Sequence, residues 1–219
     1  MTKKITNYFF WNKSENVQDS KFTTPLPSKS FLTKYIPKGG KVLDFGCGYG
    51  RLTKLLVEYG YDVTAVDISR PLVDQAKKLC PDAKYRVFSL QEYDPEPDGP
   101  FDGILILAVI ENIISLKERR DLADKVSRSL KTGGVLILET FIYDERNNEQ
   151  YVSSRIRGKT KGVFFVKRGK TKLVLFNDTK DRIDKLFIGK KLNKCYGKEM
   201  DFITWSNEKQ KGYIAIYKK

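Results

Sequence analysis

From Lys41 onward, short apolar runs alternate with segments whose apolar residues recur every three or four positions. KVLDF has the pattern of a buried strand. RLTKLLVEYG places Leu52, Leu55, Leu56 and Tyr59 on one helical face and ends at Gly60, and DVTAVD is a second strand. SRPLVDQAKKLCP reads as a helix with Ser69 as N-cap, Pro71 in the first turn and Pro81 as the stop. AKYRVFS is a third strand, followed by the turn-rich LQEYDPEPDGP and a fourth strand in FDGILILAVI. LKERRDLADKVSRSL is an amphipathic helix, KTGG a turn and VLILETF a fifth strand. Strands that alternate with helices require right-handed crossovers, so the pattern predicts an α/β fold with a doubly wound, mostly parallel sheet.

The two ends break this alternation. Before the first strand, Pro25 and Pro27 predict extended chain and Ser28 to Tyr35 a short helix. After the fifth strand, GVFFVKRGKTKLVLF predicts a β-hairpin turning near residues 168 to 170. NDTKDRIDKLF predicts a helix started by Asn177 or Asp178, and EMDFITWS and GYIAIYKK predict two antiparallel strands. We read residues 1–219 as one domain, with a lead-in over 1–40 and an insertion over about 143–176. The longest apolar run, ILILAVI, is too short to span a membrane. The N-terminus lacks the apolar core of a signal peptide, so a cytoplasmic location is expected.

Composition narrows the chemistry. Cys47, Cys80 and Cys195 are widely spaced and odd in number, which argues for reduced thiols and against a disulfide framework or a zinc site. The chain has no histidine, so acid–base work falls to Asp, Glu, Lys, Tyr or Cys, and no metal is expected. The net charge of +14 is uneven: residues 1–150 carry 22 Lys and Arg against 21 Asp and Glu, whereas residues 151–219 carry 19 against 6. Such a basic last third is either a platform for an anionic partner, nucleic acid included, or a solvated face.

The stretch KVLDFGCGYGR sets Gly46, Gly48 and Gly50 behind the first strand. A dinucleotide fingerprint needs a glycine where Arg51 stands, and the chain contains no P-loop. Asp67, at the end of the second strand, can accept hydrogen bonds from ribose hydroxyls. Asp44, beside the turn, would repel a pyrophosphate and suits a cationic ligand. S-adenosylmethionine supplies that cation in its ammonium group, and its carboxylate can use donors at a helix N-terminus.

Together VLDFGCGYG, VTAVDIS, FDGILILAVIENI and SLKTGGVLILET resemble the motifs of the class I S-adenosylmethionine-dependent methyltransferases. KFTTPL and DERNNEQY look similar to a bacterial, small-molecule-type branch of them. The resemblance implies a Rossmann-like seven-stranded sheet with an antiparallel C-terminal strand. It implies a methionine end held by Asp44, Gly46, Cys47, Gly48 and Gly50, and ribose and adenine contacts from Asp67, Ile68, Ser89 and Leu90. Leu107, Ala108 and Val109 would form the floor beneath the sulfonium. The cofactor would be S-adenosylmethionine, leaving as S-adenosylhomocysteine.

Methyl transfer is an in-line displacement that orientation accelerates. A base is needed only where the acceptor must lose a proton. Glu111 is the first candidate, with Tyr143, Asp144 and Glu145 after it; for Glu111 a helix cap or a surface acid is the competing reading. The aromatic cluster Tyr8 to Trp11 is either a lid over the site or core packing, and Trp11 is counted as a substrate contact. Arg146, Tyr151, Arg155 and Arg157 would meet an anionic acceptor. The expected activity is methyl transfer to a small anionic metabolite. The alternatives are an RNA methyltransferase that uses the basic last third, and a cofactor-binding protein without catalysis.

Overall fold

A computed structural model describes residues 8–12, 25–88, 92, 94–146, 162–168, 171–203 and 209–219. Seven strands form one sheet in the order β3-β2-β1-β4-β5-β9-β8. They are β1 (Lys41–Phe45), β2 (Asp62–Asp67), β3 (Lys84–Val87), β4 (Phe101–Leu107), β5 (Leu130–Phe141), β8 (Asn193–Ile203) and β9 (Lys209–Lys218). β1 to β5 are parallel, while β9 runs antiparallel to both β5 and β8. The hairpin β6 (Val163–Arg168) and β7 (Thr171–Phe176) is a separate two-stranded sheet. The doubly wound sheet, its antiparallel C-terminal strands and the hairpin after β5 are thus as the pattern predicts.

Helical turns α1 (Tyr8–Trp11) and α2 (Lys29–Leu32) precede the sheet. Helices α3 (Arg51–Glu58), α4 (Arg70–Leu79), α5 (Leu116–Ser129) and α6 (Lys180–Ile188) complete the layers. Alternation along β5 assigns its two faces. Val135 and Ile137 pack with Leu52 and Leu56 of α3, whereas Leu136 and Leu138 pack with Leu122 and Val126 of α5 and Phe187 of α6. Burial of these apolar faces is the main favourable term for such a layered core.

Three boundaries differ from the pattern. KTGG lies inside the range of β5, where the pairing register shifts between Phe101 and Gly103 and Gly133 has φ +80°. β8 begins at Asn193, ahead of EMDFITWS, because Asn193 to Lys198 pair through the backbone with the far end of β9. The cap of α6 is Thr179, whose hydroxyl accepts from the Arg182 N–H. Asp178 is otherwise engaged: its carbonyl accepts from Tyr143 N–H and its carboxylate pairs with Arg119.

Among the described residues Arg119 is the largest fully buried side chain. From α5 its guanidinium donates to the carbonyls of Ile113 (2.6 Å), Ile110 (2.9 Å) and Phe176 (2.7 Å) and to Asp178 (3.3 Å). It also stacks 4.1 Å from the Phe176 ring centroid. Burial lowers its pKa to about 10, so it stays charged at neutral pH. Arg119→Ala should therefore lower the unfolding free energy by about 3 to 5 kcal/mol, read as a fall in the urea midpoint. Arg119→Lys should recover little of it, because one ammonium cannot serve three carbonyls and a carboxylate at once.

Candidate active site at the carboxyl edge of the sheet

The strands β1, β2, β4 and β5 deliver their C-terminal residues to one edge, where open α/β sheets bind ligands. The turn after β1 is fixed by Gly46 and Cys47, whose N–H groups donate to the Val66 carbonyl of β2. Gly46 has φ +83°, and a Cβ there would meet Val109 Cγ2 at 2.3 Å. Gly48 has φ +55° but nothing within 4 Å of the place its Cβ would take, so its backbone faces open space.

Two acids flank this turn. Asp67 Oδ2 accepts from Gly48 N–H (2.9 Å) and Oδ1 from Ser69 N–H (2.8 Å). Asp44 Oδ2 accepts from the Thr53 hydroxyl (2.6 Å) at the start of α3. Burial raises both carboxyls above their ordinary range, and Asp44, with Asp67 nearby, reaches about 7. Cys47 is also buried, and desolvation together with these two acids raises its thiol well above the usual value. The geometry makes Cys47 a neutral wall of the turn.

A second wall comes from the N-terminal turn. The carbonyl of Trp11 accepts from Ser69 Oγ (2.6 Å), and Asn12 Nδ2 donates to the Ile68 carbonyl (3.3 Å). Trp11 Nε1 donates to Asn112 Oδ1 (3.2 Å), and Asn112 Nδ2 to the Ala108 carbonyl (3.3 Å). Residues 11 and 12 thus link the tip of β2 to the loop after β4. Trp11 is brought to the edge that holds Asp44 and Asp67, and Phe10 beneath it is buried.

The loop after β4 turns at Ala108, φ +56°, whose N–H donates to the Glu139 carbonyl. Glu111 lies in a 3-10 turn, Ile110–Asn112, and is 3% exposed, so it is not a surface acid. Nor is it a helix cap: the cap of the turn is Val109 and that of α5 is Ser115. Glu111 Oε2 accepts from the Thr140 hydroxyl (3.0 Å), and burial raises its pKa to about 7.

Farther along the edge, Tyr143, Asp144, Arg146, Glu199, Asp201 and Lys211 line an open groove of about 630 Å³. Arg146 is clamped by Asp144 and Asp201. An acceptor anion at Arg146 would have to compete with both. Ser89, Leu90, Tyr151, Arg155 and Arg157 lie outside the described residues. Thr53, Asn112 and Glu139 were not among the residues expected at this edge. Of these only Glu139 leaves a trace, as the one acid in the apolar run VLILETF.

Residues 43–138 match the family model described as Methyltransferase domain. That segment is similar to the methyltransferase domain family. The ubiquinone biosynthesis O-methyltransferase of Xylella fastidiosa is 30% identical over 115 residues, covering 50% of this chain and 46% of that enzyme. The chain thus spans about half the length of the curated relatives it matches. Among solved structures, a SAM-dependent methyltransferase of Methanosarcina mazei aligns with TM-score 0.78 and 22% identity, over 86% of this chain and 96% of that one. The 1,6-didemethyltoxoflavin-N1-methyltransferase of Burkholderia thailandensis aligns with TM-score 0.62 and 16% identity, over 87% and 76%. These structural likenesses establish that the methyltransferase fold extends well beyond residues 43–138, through the antiparallel end of the sheet.

Two outcomes follow from the geometry. Gly46→Ala should cost about 1 to 3 kcal/mol in a denaturant titration, from left-handed strain plus overlap with Val109. Gly48→Ala should cost only about 1 kcal/mol, because strain acts there without overlap. The second outcome concerns pH. Asp44, Glu111 and Glu139 titrate at about 7 when folded and near ~4 when unfolded. Between those values the folded state holds more protons, so stability falls as pH rises. The ligand-free protein should melt at a lower temperature at pH 8 than at pH 6, and the chain has no histidine to titrate in that window.

Proposed function

We propose that this chain is an S-adenosylmethionine-dependent methyltransferase acting on a small molecule. The observation that carries the reading is the pair of buried carboxylates, Asp44 and Asp67, on either side of the open backbone at Gly48. The residues fit the cofactor. Asp44 suits the ammonium, which would draw its proton off and offset the cost of burying the charge. Asp67 keeps lone pairs beyond its two backbone bonds for the ribose hydroxyls. Gly46, Cys47 and Gly50 shape the turn, Ile68, Ser89 and Leu90 would border the adenine, and Leu107 and Ala108 would form the floor. When bound, the cofactor supplies an electrophilic methyl group on a sulfonium.

The chain's own part is to align the acceptor, exclude water and receive a proton where the acceptor carries one. Trp11 is suited to closing the site, held as it is from both sides of the edge. Glu111 is a buried acid poised near neutrality, and Tyr143 stands nearer the groove. Arg146, Tyr151 and Arg155 are the residues through which an anionic acceptor would be recognised. The ubiquinone biosynthesis O-methyltransferase and the 1,6-didemethyltoxoflavin-N1-methyltransferase are named for small molecules, which supports a small acceptor.

The basic last third lends less to an RNA reading than its composition suggests. Lys180 and Lys211 pair with Glu199, Lys190 with Asp124 and Lys194 with Asp184. Lys198 lies on β8, an edge strand, where a lysine discourages strand addition by another chain.

Calorimetry tests the cofactor. S-adenosylmethionine and S-adenosylhomocysteine should bind with micromolar affinity, and Asp67→Ala should weaken both by about tenfold or more, the loss of one or two hydrogen bonds to a carboxylate. Binding should also weaken as pH falls below about 7, because protonated Asp44 no longer attracts the ammonium. No binding of either compound at high micromolar concentration would sink the proposal. Radiolabelled methyl transfer into fractionated cell extract, with and without ribonuclease, separates a small acceptor from RNA.

A further inference from the structure

Most buried acids of this molecule are matched by donors. Asp44 accepts from Thr53, Asp67 from two backbone N–H groups, Glu111 from Thr140, and Asp184 from two tyrosines and Lys194. Glu139 differs. It is 6% exposed on β5, and its Oε1 is buried with no hydrogen-bond partner. Such an oxygen is costly to leave unpaired and calls for an explanation.

The sheet register shows where it stands. Glu139 is opposite Leu107 on β4, and its own carbonyl holds the Ala108 N–H. Leu107 and Ala108 are the pair proposed above as the floor beneath the sulfonium. Strand alternation turns Glu139 to the face of Val135 and Ile137, the α3 side, whereas Thr140 and its partner Glu111 are on the α5 side. Its neighbour on β9 is Ile214, which brings neither charge nor side-chain donor. Among the described residues, the charged groups that act on it are Glu111, from the loop after β4, and Arg51, from the first turn of α3. Burial and Glu111 raise its pKa to about 7 and Arg51 opposes them, so Glu139 changes charge in the neutral range.

The ligand for this oxygen is defined by what the site does not supply. An ammonium would offer N–H donors, and Asp44 already stands where the ammonium is proposed to sit. A sulfonium carries positive charge without a hydrogen on sulfur, so an oxygen that meets it needs proximity and charge but no donor. The thioether left after transfer is neutral and offers neither.

We propose that Glu139 is the counter-charge to the sulfonium, and that it makes this edge hold S-adenosylmethionine more tightly than S-adenosylhomocysteine. This rests on the methyltransferase reading above and adds a specificity-determining residue to that same site. Beside the sulfonium Glu139 releases its proton to solvent, because a neighbouring positive charge favours the carboxylate. When the methyl–sulfur bond breaks, its electron pair stays on sulfur and the positive charge there is gone. Glu139 then takes a proton back from solvent, since a lone buried anion is costly. The product is thus held by one charge interaction fewer than the cofactor.

Calorimetry on the full chain tests this through the ratio of the two dissociation constants. Both compounds carry the same ammonium and ribose, so the contributions of Asp44 and Asp67 cancel in the ratio. The wild type should favour S-adenosylmethionine by about tenfold or more at pH 8, a modest yield for one close charge pair. At pH 6, where Glu139 holds its proton, the preference should fall below about threefold. Glu139→Gln keeps the shape and removes the charge, so its preference should stay below about threefold at both pH values, with the S-adenosylhomocysteine Kd moved by less than about threefold. Arg51→Gln removes the cation that favours the carboxylate, so the preference should set in at higher pH. A further readout needs no variant: in buffers of different ionisation enthalpy at pH 7, the wild type should release more protons on binding S-adenosylmethionine than on binding S-adenosylhomocysteine. Equal weakening of both compounds by Glu139→Gln would make Glu139 a structural residue and overturn the proposal. A preference that Glu139→Gln leaves intact, a wild-type ratio independent of pH, or equal proton release would overturn it as well. A wild type that binds neither compound would instead overturn the methyltransferase reading itself.

Discussion

Arg119 joins three segments that local structure alone would leave independent. The 3-10 turn after β4 has two carbonyls pointing at it, the end of β7 has one, and Asp178 stands at the entry to α6. Each acceptor is buried beside a guanidinium with five donors in a fixed fork, a geometry an ammonium cannot reproduce. One side chain of α5 therefore sets how the hairpin sits against the sheet and where the loop carrying Glu111 lies. Because desolvating an arginine is expensive, the arrangement holds only while all its acceptors are present. The same charge also draws down Glu111, alongside the hydrogen bond from the Thr140 hydroxyl.

That loop is one part of a wider electrostatic problem. Asp44, Asp67, Glu111 and Glu139 are all buried near the carboxyl edge, and burial raises each. Without a ligand the folded protein lessens the cost by holding protons there. Thr53, Thr140 and the backbone N–H groups of Gly48 and Ser69 supply the remaining compensation. A ligand that brings positive charge removes the need for those protons. The loss of stability expected of the empty edge at high pH and the affinity for a cation proposed for it are two views of the same desolvation.

How much of this could be read from the chain depends on how far apart the interacting residues lie. Asp44, the glycines and Asp67 follow one another at the ends of adjacent parallel strands, so their neighbourhood is written in order, and the seven-stranded layout follows from the same alternation. The early start of β8 had no such signal, because NKCYGK has no apolar alternation and is a strand only by pairing with β9. Arg119 sits in LKERRDLADK beside Arg120, and periodicity alone does not say which of the two turns inward. Arg146 looked available until β8 brought Asp201 against it. Glu139 was hidden for the opposite reason: it looks like one polar residue in a buried strand, and only the register that sets it opposite Leu107 gives it meaning.

The charge at the edge also limits the acceptor. Methyl transfer to a thiolate or a free amine needs no base, so a pocket built for either has no reason to bury a further acid, Glu111, beyond those proposed to meet the cofactor. An anion placed among Glu111 and Glu139 would be repelled at short range in a medium where charges are poorly screened. A hydroxyl is different, since it brings a proton that a carboxylate can take and leaves no added charge behind once the methyl has moved. The acceptor proposed for this site is therefore best neutral at the carboxyl edge, where the buried acids would repel an anion.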